Sequence, residues 1–234
     1  MTYQRSERAS FLVRLMLAAG VAVLTPYLLA VIETKAAGAF SRAPRAPGVV
    51  RYGLDARRSK FIAHALRGGL LWFKGHDHLI AARDFSGEAR FDSGNVSASS
   101  LQLVVKAASM VETSDVFTEQ QKQIINKELR EIVLEPEKYP EIVFKSTDVK
   151  GKSLGGGQYD LKIGGNLTLH GVTKRIVIPT RVTISGKELR AAGKFSIDRG
   201  DFKVEATSAF HGLVRVRKKV EFEFDIVGHE DIPY

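Results

Sequence analysis

The chain has 234 residues, 44% of them hydrophobic and 26% charged, enough apolar content for one domain with a sizeable core and too little charge for global disorder. It contains no cysteine, which excludes disulfides, thiolate metal sites and a cysteine nucleophile but leaves an oxidising compartment open. The net charge of +9 comes from scattered basic residues, apart from Arg215, Arg217, Lys218 and Lys219, and no aromatic-and-basic module for nucleic acid accompanies them.

At the N-terminus Arg5, Arg8 and Arg14 precede an apolar run from Leu15 to Ile32, broken by Gly20, Thr25 and Pro26. Lys35 follows, and then Ala37-Gly38-Ala39, a small-x-small pattern. A basic region, an apolar run and a cleavage pattern make an export signal. The run is also long enough to cross a bilayer, so residues 1–39 are read either as a signal peptide cleaved near Ala39 or as an uncleaved inner-membrane anchor. Both place the rest of the protein outside the cytoplasm, in the periplasm or cell envelope. Residues 1–39 carry four Lys/Arg and two Asp/Glu, so cleavage there leaves a net charge of +7. No Cys follows the run, which excludes a lipoprotein-type anchor at that point.

Residues 40–49 are a Pro/Ala/Arg linker, residues 50–228 the folded domain, and residues 229–234 a tail. Strands are predicted over 50–54, 59–66, 84–91, 99–107, 142–149, 159–169, 172–184, 188–197 and 214–227, with 201–210 as an irregular candidate. Turn sequences punctuate them: Asp92-Ser93-Gly94-Asn95, Gly155-Gly156-Gly157, Ser185-Gly186 and Arg199-Gly200.

Three strands show their faces clearly. Phe85, Gly87, Ala89 and Phe91 alternate with Ser86, Glu88 and Arg90; Ile176, Ile178, Val182 and Ile184 alternate with Arg175, Arg181 and Thr183. At the C-terminus Val214, Val216, Val220, Phe222, Phe224 and Ile226 share one face, and Arg215, Arg217, Lys219, Glu221, Glu223 and Asp225 the other. One apolar and one charged face per strand predicts an all-β, closed antiparallel barrel with a wet exterior. A single amphipathic helix interrupts the strands. Thr118-Glu119-Gln120-Gln121 resembles a capping box, Pro136 stops the helix near Leu134, and Ile125, Leu129, Ile132 and Val133 are expected to line its packed side.

Two motifs, YPEIVFKS at residues 139–146 and GGNLTLHGVTK at 164–174, carry strand-and-turn patterns with no nucleophile or acid/base pair. With VVRYGLD, RRSKFIAHAL, DFSGEARFD and VEFEFDIVG around them, their order and spacing over 50–227 resemble the YceI-like family of bacterial envelope proteins. LLWFKGHDHLI is similar to a histidine-containing subset, while 201–217 matches loosely, with basic Arg217-Lys218-Lys219 where an acidic residue is common. The resemblance implies a lipocalin-like barrel that binds, transports or stores a polyisoprenoid, a quinone-like molecule or another long apolar lipid, with no catalysis and no cofactor. It also implies a site in the barrel interior, lined by Phe61, Phe85, Phe91, Leu103, Phe144, Leu167, Leu169, Ile178, Val182, Phe222 and Phe224. The same residue types would equally serve as plain packing in a filled barrel.

Other candidates stand beside that set. His76 and His78 flank Asp77, and on a strand both imidazoles would share a face, an incomplete metal site that His64, His170, His211 or a carboxylate would have to complete. A polar turn after Gly75 accounts for the same residues, and a metal-dependent enzyme using this pair is the alternative function. A structural, ligand-free envelope protein is another. His170 is read as ending its strand and ordering the Gly171 turn through a hydrogen bond. Lys218 falls by alternation among inward-facing valines. There it would sit at a barrel mouth as a contact for an anionic head group, snorkel outward, or mark a break that resets the alternation.

Overall fold

The computed structural model describes residues 48–69, 73, 75–205, 208–209 and 214–231, without the side chains of 208–209 and 214–215. The predicted signal or anchor over residues 1–39, nearly all of the linker, residues 232–234, and Trp72 and His211 lie outside the described residues.

In chain order the strands are β1 (Val49–Ala65), β2 (Arg67–Gly68), β3 (His78–Ala82), β4 (Phe85–Asp92), β5 (Ser100–Lys106), β6 (Met110–Glu112), β7 (Glu141–Gly155), β8 (Gln158–Leu169), β9 (Val172–Ser185), β10 (Glu188–Asp198), β11 (Ser208–Ala209), β12 (Val214–Val216) and β13 (Lys219–Glu230). Helix α1 (Glu119–Glu128) continues into a π-helical turn, Leu129–Leu134. Strands β1, β4, β5, β7, β8, β9, β10 and β13 form an antiparallel ring, closed where β1 pairs with β13. The predicted barrel is therefore present, with eight strands around it. Strands β3 and β6 extend β4 and β5 along the second half of β1, and β2, β11 and β12 make a separate small sheet.

Alternation places the core inside, but two irregularities reset it. In β1, Val50, Tyr52 and Leu54 pack inward, and so do Phe61 and Ala63, which are of opposite parity. Between them the register against β13 shifts from Asp55 to Lys60, so an irregular stretch joins the two strands predicted at 50–54 and 59–66. A shift between Ser146 and Asp148 does the same in β7, where Phe144 and Val149 are both buried. The 3-10 turn Arg199–Phe202 takes up the first two residues of the irregular strand expected at 201–210, β11 lies within that range, and the predicted strand at 214–227 is broken at Arg217 and Lys218 into β12 and β13.

The ring is tight at one end and flared at the other. Strand β10 pairs with β9 only over Glu188–Ala192, and beyond that point the 3-10 turn lies against β9, with Phe202 only 1% exposed. On the opposite side α1 and its π-helical turn stand beside β6, where β7 has not yet begun. The capping box holds: Gln121 N–H donates to Thr118 Oγ1 (3.3 Å), and Thr118 N–H donates to Gln121 Oε1 (2.8 Å). Leu129 and Leu134 are buried as an amphipathic helix requires, but Ile132 is 45% exposed, contrary to the sequence expectation. The π-helical turn is wider than an α-helical one, so it rotates Ile132 away from the barrel.

Candidate functional site: an apolar cavity through the barrel

A cavity of about 260 Å³ runs through the barrel, from Phe91, Val182 and Leu189 at the tight end to Ile125, Val133 and Val204 at the flared end. Its wall is the inward face of the ring. Of the eleven residues expected to line the interior, Phe61, Phe91, Leu103, Phe144, Leu167, Leu169, Ile178, Val182, Phe222 and Phe224 border the cavity. Phe85 is buried in the core but does not border it. Aromatic rings stiffen the wall: Phe195 stacks on Phe222 with centroids 4.9 Å apart, Phe61 lies 5.9 Å from Phe222, and Phe91 meets Tyr159 edge-on at 4.8 Å. Phe195 borders the cavity and was not among the expected residues, although its spacing from Leu189 and Ile197 is that of one strand face. The buried Thr180 hydroxyl donates to Ile178 O at 3.2 Å, so the middle of the wall offers little free polarity.

Polar side chains border the cavity at both ends: Arg90, Ser99 and Ser100 where β4 meets β5, and a second group at the flared end. His78 opens β3 and borders the cavity, as do Glu128, Arg199 and Glu205. His78 Nδ1 lies 2.8 Å from Glu112 Oε2. The other oxygen of Glu112 accepts from the backbone N–H groups of Leu79 (3.1 Å), Thr113 (2.9 Å) and Ser114 (2.8 Å). Burial by itself would raise the Glu112 pKa, but hydrogen bonds from His78, Ser114 and Leu79 together outweigh it and hold the carboxyl below the ordinary glutamate value. The ring of Phe117 stacks on His78 at 5.1 Å and meets His76 edge-on at 5.6 Å.

His76 and His78 therefore serve different surroundings. His76 is exposed, whereas Asp77 Oδ1 accepts from Arg67 N–H at 2.8 Å. Among the described residues no three His, Asp or Glu side chains come together as a metal site. Lys218 is exposed, does not border the cavity, and lies in the break between β12 and β13, where its carbonyl accepts from Arg199 N–H at 2.9 Å. His170, with φ of 51°, and Gly171, with φ of 72°, form the β8–β9 turn. The hydrogen bond of His170 runs not within that turn but from Nε2 to Glu135 Oε2 (2.6 Å), and its ring packs on Tyr139 at 4.2 Å. It ties the hairpin to the end of the helical segment.

The sequence pattern of the YceI-like domain matches residues 52–228. The chain belongs to the YceI-like family. Among curated relatives, a UPF0312 protein of Photorhabdus laumondii is 30% identical over 151 residues, covering 61% of this chain and 72% of that protein. One of Pseudomonas savastanoi is 35% identical over 106 residues, covering 45% of this chain and 50% of that protein, so the match spans about half the length of such relatives. BcnA of Burkholderia cenocepacia superposes with a TM-score of 0.58 at 22% identity, over 74% of this chain and 98% of that one. A polyisoprenoid-binding domain from Saccharophagus degradans, implicated in plant cell wall breakdown, superposes with a TM-score of 0.56 at 16% identity, over 78% and 99%. At these identities the likeness is one of fold, and the YceI-like barrel is the scaffold they share.

Proposed function

We propose that this YceI-like barrel reversibly binds a long apolar molecule, of polyisoprenoid or quinone-like type, and does so in the cell envelope. The observation that carries the reading is the continuous cavity bordered mostly by Phe, Leu, Ile and Val side chains. A hydrocarbon chain leaving water for such a wall gains about 25 cal/mol per Å² of buried apolar surface, before the cost of ordering the chain. The fold is preformed, so little of that gain is spent on closing it. The solved polyisoprenoid-binding domain of the same fold supports the ligand class, and the basic-then-apolar N-terminus supports the compartment.

Protein purified from its own host's envelope and examined by native mass spectrometry is expected to carry an apolar molecule released by organic solvent. Repeated recovery of protein without lipid, and no displacement of an apolar fluorescent dye by a polyisoprenoid, would sink the binding reading. Fractionation of cells expressing the full chain is expected to place it in the periplasm, shortened near Ala39, or in the inner membrane at full mass. Recovery in the cytoplasmic fraction would contradict the envelope assignment.

A further inference from the structure

We propose that the flared end of the cavity is a head-group site, where His78, oriented by Glu112, accepts a hydrogen bond from the hydroxyl of an amphiphile whose apolar chain lies in the barrel. The proposal rests on the lipid-binding reading and deepens it, since it assigns both the direction of the ligand and the chemistry of its polar end.

The argument starts from the cost of Glu112. Its side chain has no exposed surface, and it follows Met110 on the inward parity of β6. A carboxylate in a barrel wall is expensive unless it is fully hydrogen-bonded. Here three backbone N–H groups satisfy one oxygen, and the second is directed to a single side chain, His78. An ionised carboxylate on Nδ1 requires a proton there, which makes Nε2 the acceptor of the neutral ring. No hydrogen bond from Nε2 to any described residue is present, and His78 borders the cavity. Phe117 stacked on the ring fixes its plane. The result is an oriented acceptor at the flared end of the cavity.

The neighbouring charges choose between head groups. Arg199 donates to the carbonyls of Val204 (2.8 Å) and Arg217 (3.4 Å), and the carboxylates of Glu128 and Glu205 share the same rim. A phosphate or diphosphate would call for a converging set of cations without such carboxylates. A neutral hydroxyl, alcoholic or phenolic, donates to an imidazole acceptor and is indifferent to the mixed rim.

The test uses three probes that share a chain and differ at the head: geranylgeraniol, its methyl ether and its monophosphate. Each competes with an apolar fluorescent dye on the delipidated full chain at neutral pH. The alcohol is expected to bind about fivefold to tenfold tighter than the ether, the effect of one directed hydrogen bond. His78→Phe, which keeps an aromatic ring against Phe117, is expected to bring that ratio to about one. Glu112→Gln is expected to shrink the ratio by loosening the tautomer. Equal binding of alcohol and ether by the wild type, the result of a merely structural pair, overturns the proposal, and so does preference for the phosphate. Failure of all three probes to displace the dye overturns the lipid-binding reading itself and the head-group site with it.

Discussion

At Glu112 a single residue couples the stability of the barrel to pH. Replacing it with Ala leaves the N–H groups of Leu79 and Ser114 short of this acceptor and frees His78, whereas Thr113 N–H keeps its bond to Leu79 O (2.9 Å), and the expected loss is about 2–3 kcal/mol at neutral pH. The folded pKa lies below the unfolded value near 4.5, so the stability this carboxylate adds is fully present above that value. It is lost as pH falls through the folded pKa. Denaturant titrations of wild type and Glu112→Gln from pH 7 to pH 3 should therefore converge at the acid end. A gap that stays constant down to pH 3 would mean that folding does not shift the pKa of this carboxyl. The ion pairs on the outer face behave differently. Arg190 lowers the pKa of Asp225, chiefly through its hydrogen bond, with Nε 2.7 Å from Oδ1, but the guanidinium is fully solvated and such pairs contribute little net stability.

At the scale of elements, glycines permit close approaches that side chains would block. Gly193 sits on the inward face of β10 where β10 leaves β9; a Cβ there would lie 2.3 Å from Pro179 O and 2.7 Å from the Phe224 ring. Gly193→Ala is expected to push strand and ring apart at a cost of about 1–3 kcal/mol, read as a lower melting temperature with disturbed aromatic circular dichroism. An unchanged melt would show that this junction has slack. The same scale explains what could be read in advance. The faces of β4, β9 and β13 were legible because polar or charged residues alternate with apolar ones over many positions, as in Val220 to Ile226. The irregularity in β1 was not, because a shift of backbone register leaves no mark in composition. Nor was the π-helical turn, which exposed Ile132 and kept Leu134 in the core. Ten of the eleven residues that the family resemblance implied for the lining border the cavity, since they lie on inward faces of the ring. Glu112 was missed although its parity with Met110 marked an inward acid, because its partner His78 lies 34 residues away and only the fold brings them together.

At the scale of the whole molecule the barrel faces a conflict between stability and capacity. Closure through β1 and β13 joins the two ends of the domain, so a core of neighbouring inward faces forms only when the ring is complete. That core is left unfilled along its axis by about 260 Å³. The side chains facing that space lack the contacts a filled core would give them, a cost that grows with the volume left open. A bound hydrocarbon recovers much of this, and binding to the folded state alone raises stability with ligand concentration. Two melts follow from that balance. Lipid-loaded protein is expected to unfold well above the delipidated form, with the difference growing as lipid is added. Ala191→Leu places extra carbon in the cavity wall from β10, and it is expected to raise the melting temperature of the delipidated protein by about 2–4 °C while weakening lipid binding. A barrel whose side chains collapse to fill the axis would do the reverse. Its lipid-free melt would fall with Ala191→Leu through overpacking, and added lipid would leave both melts where they were.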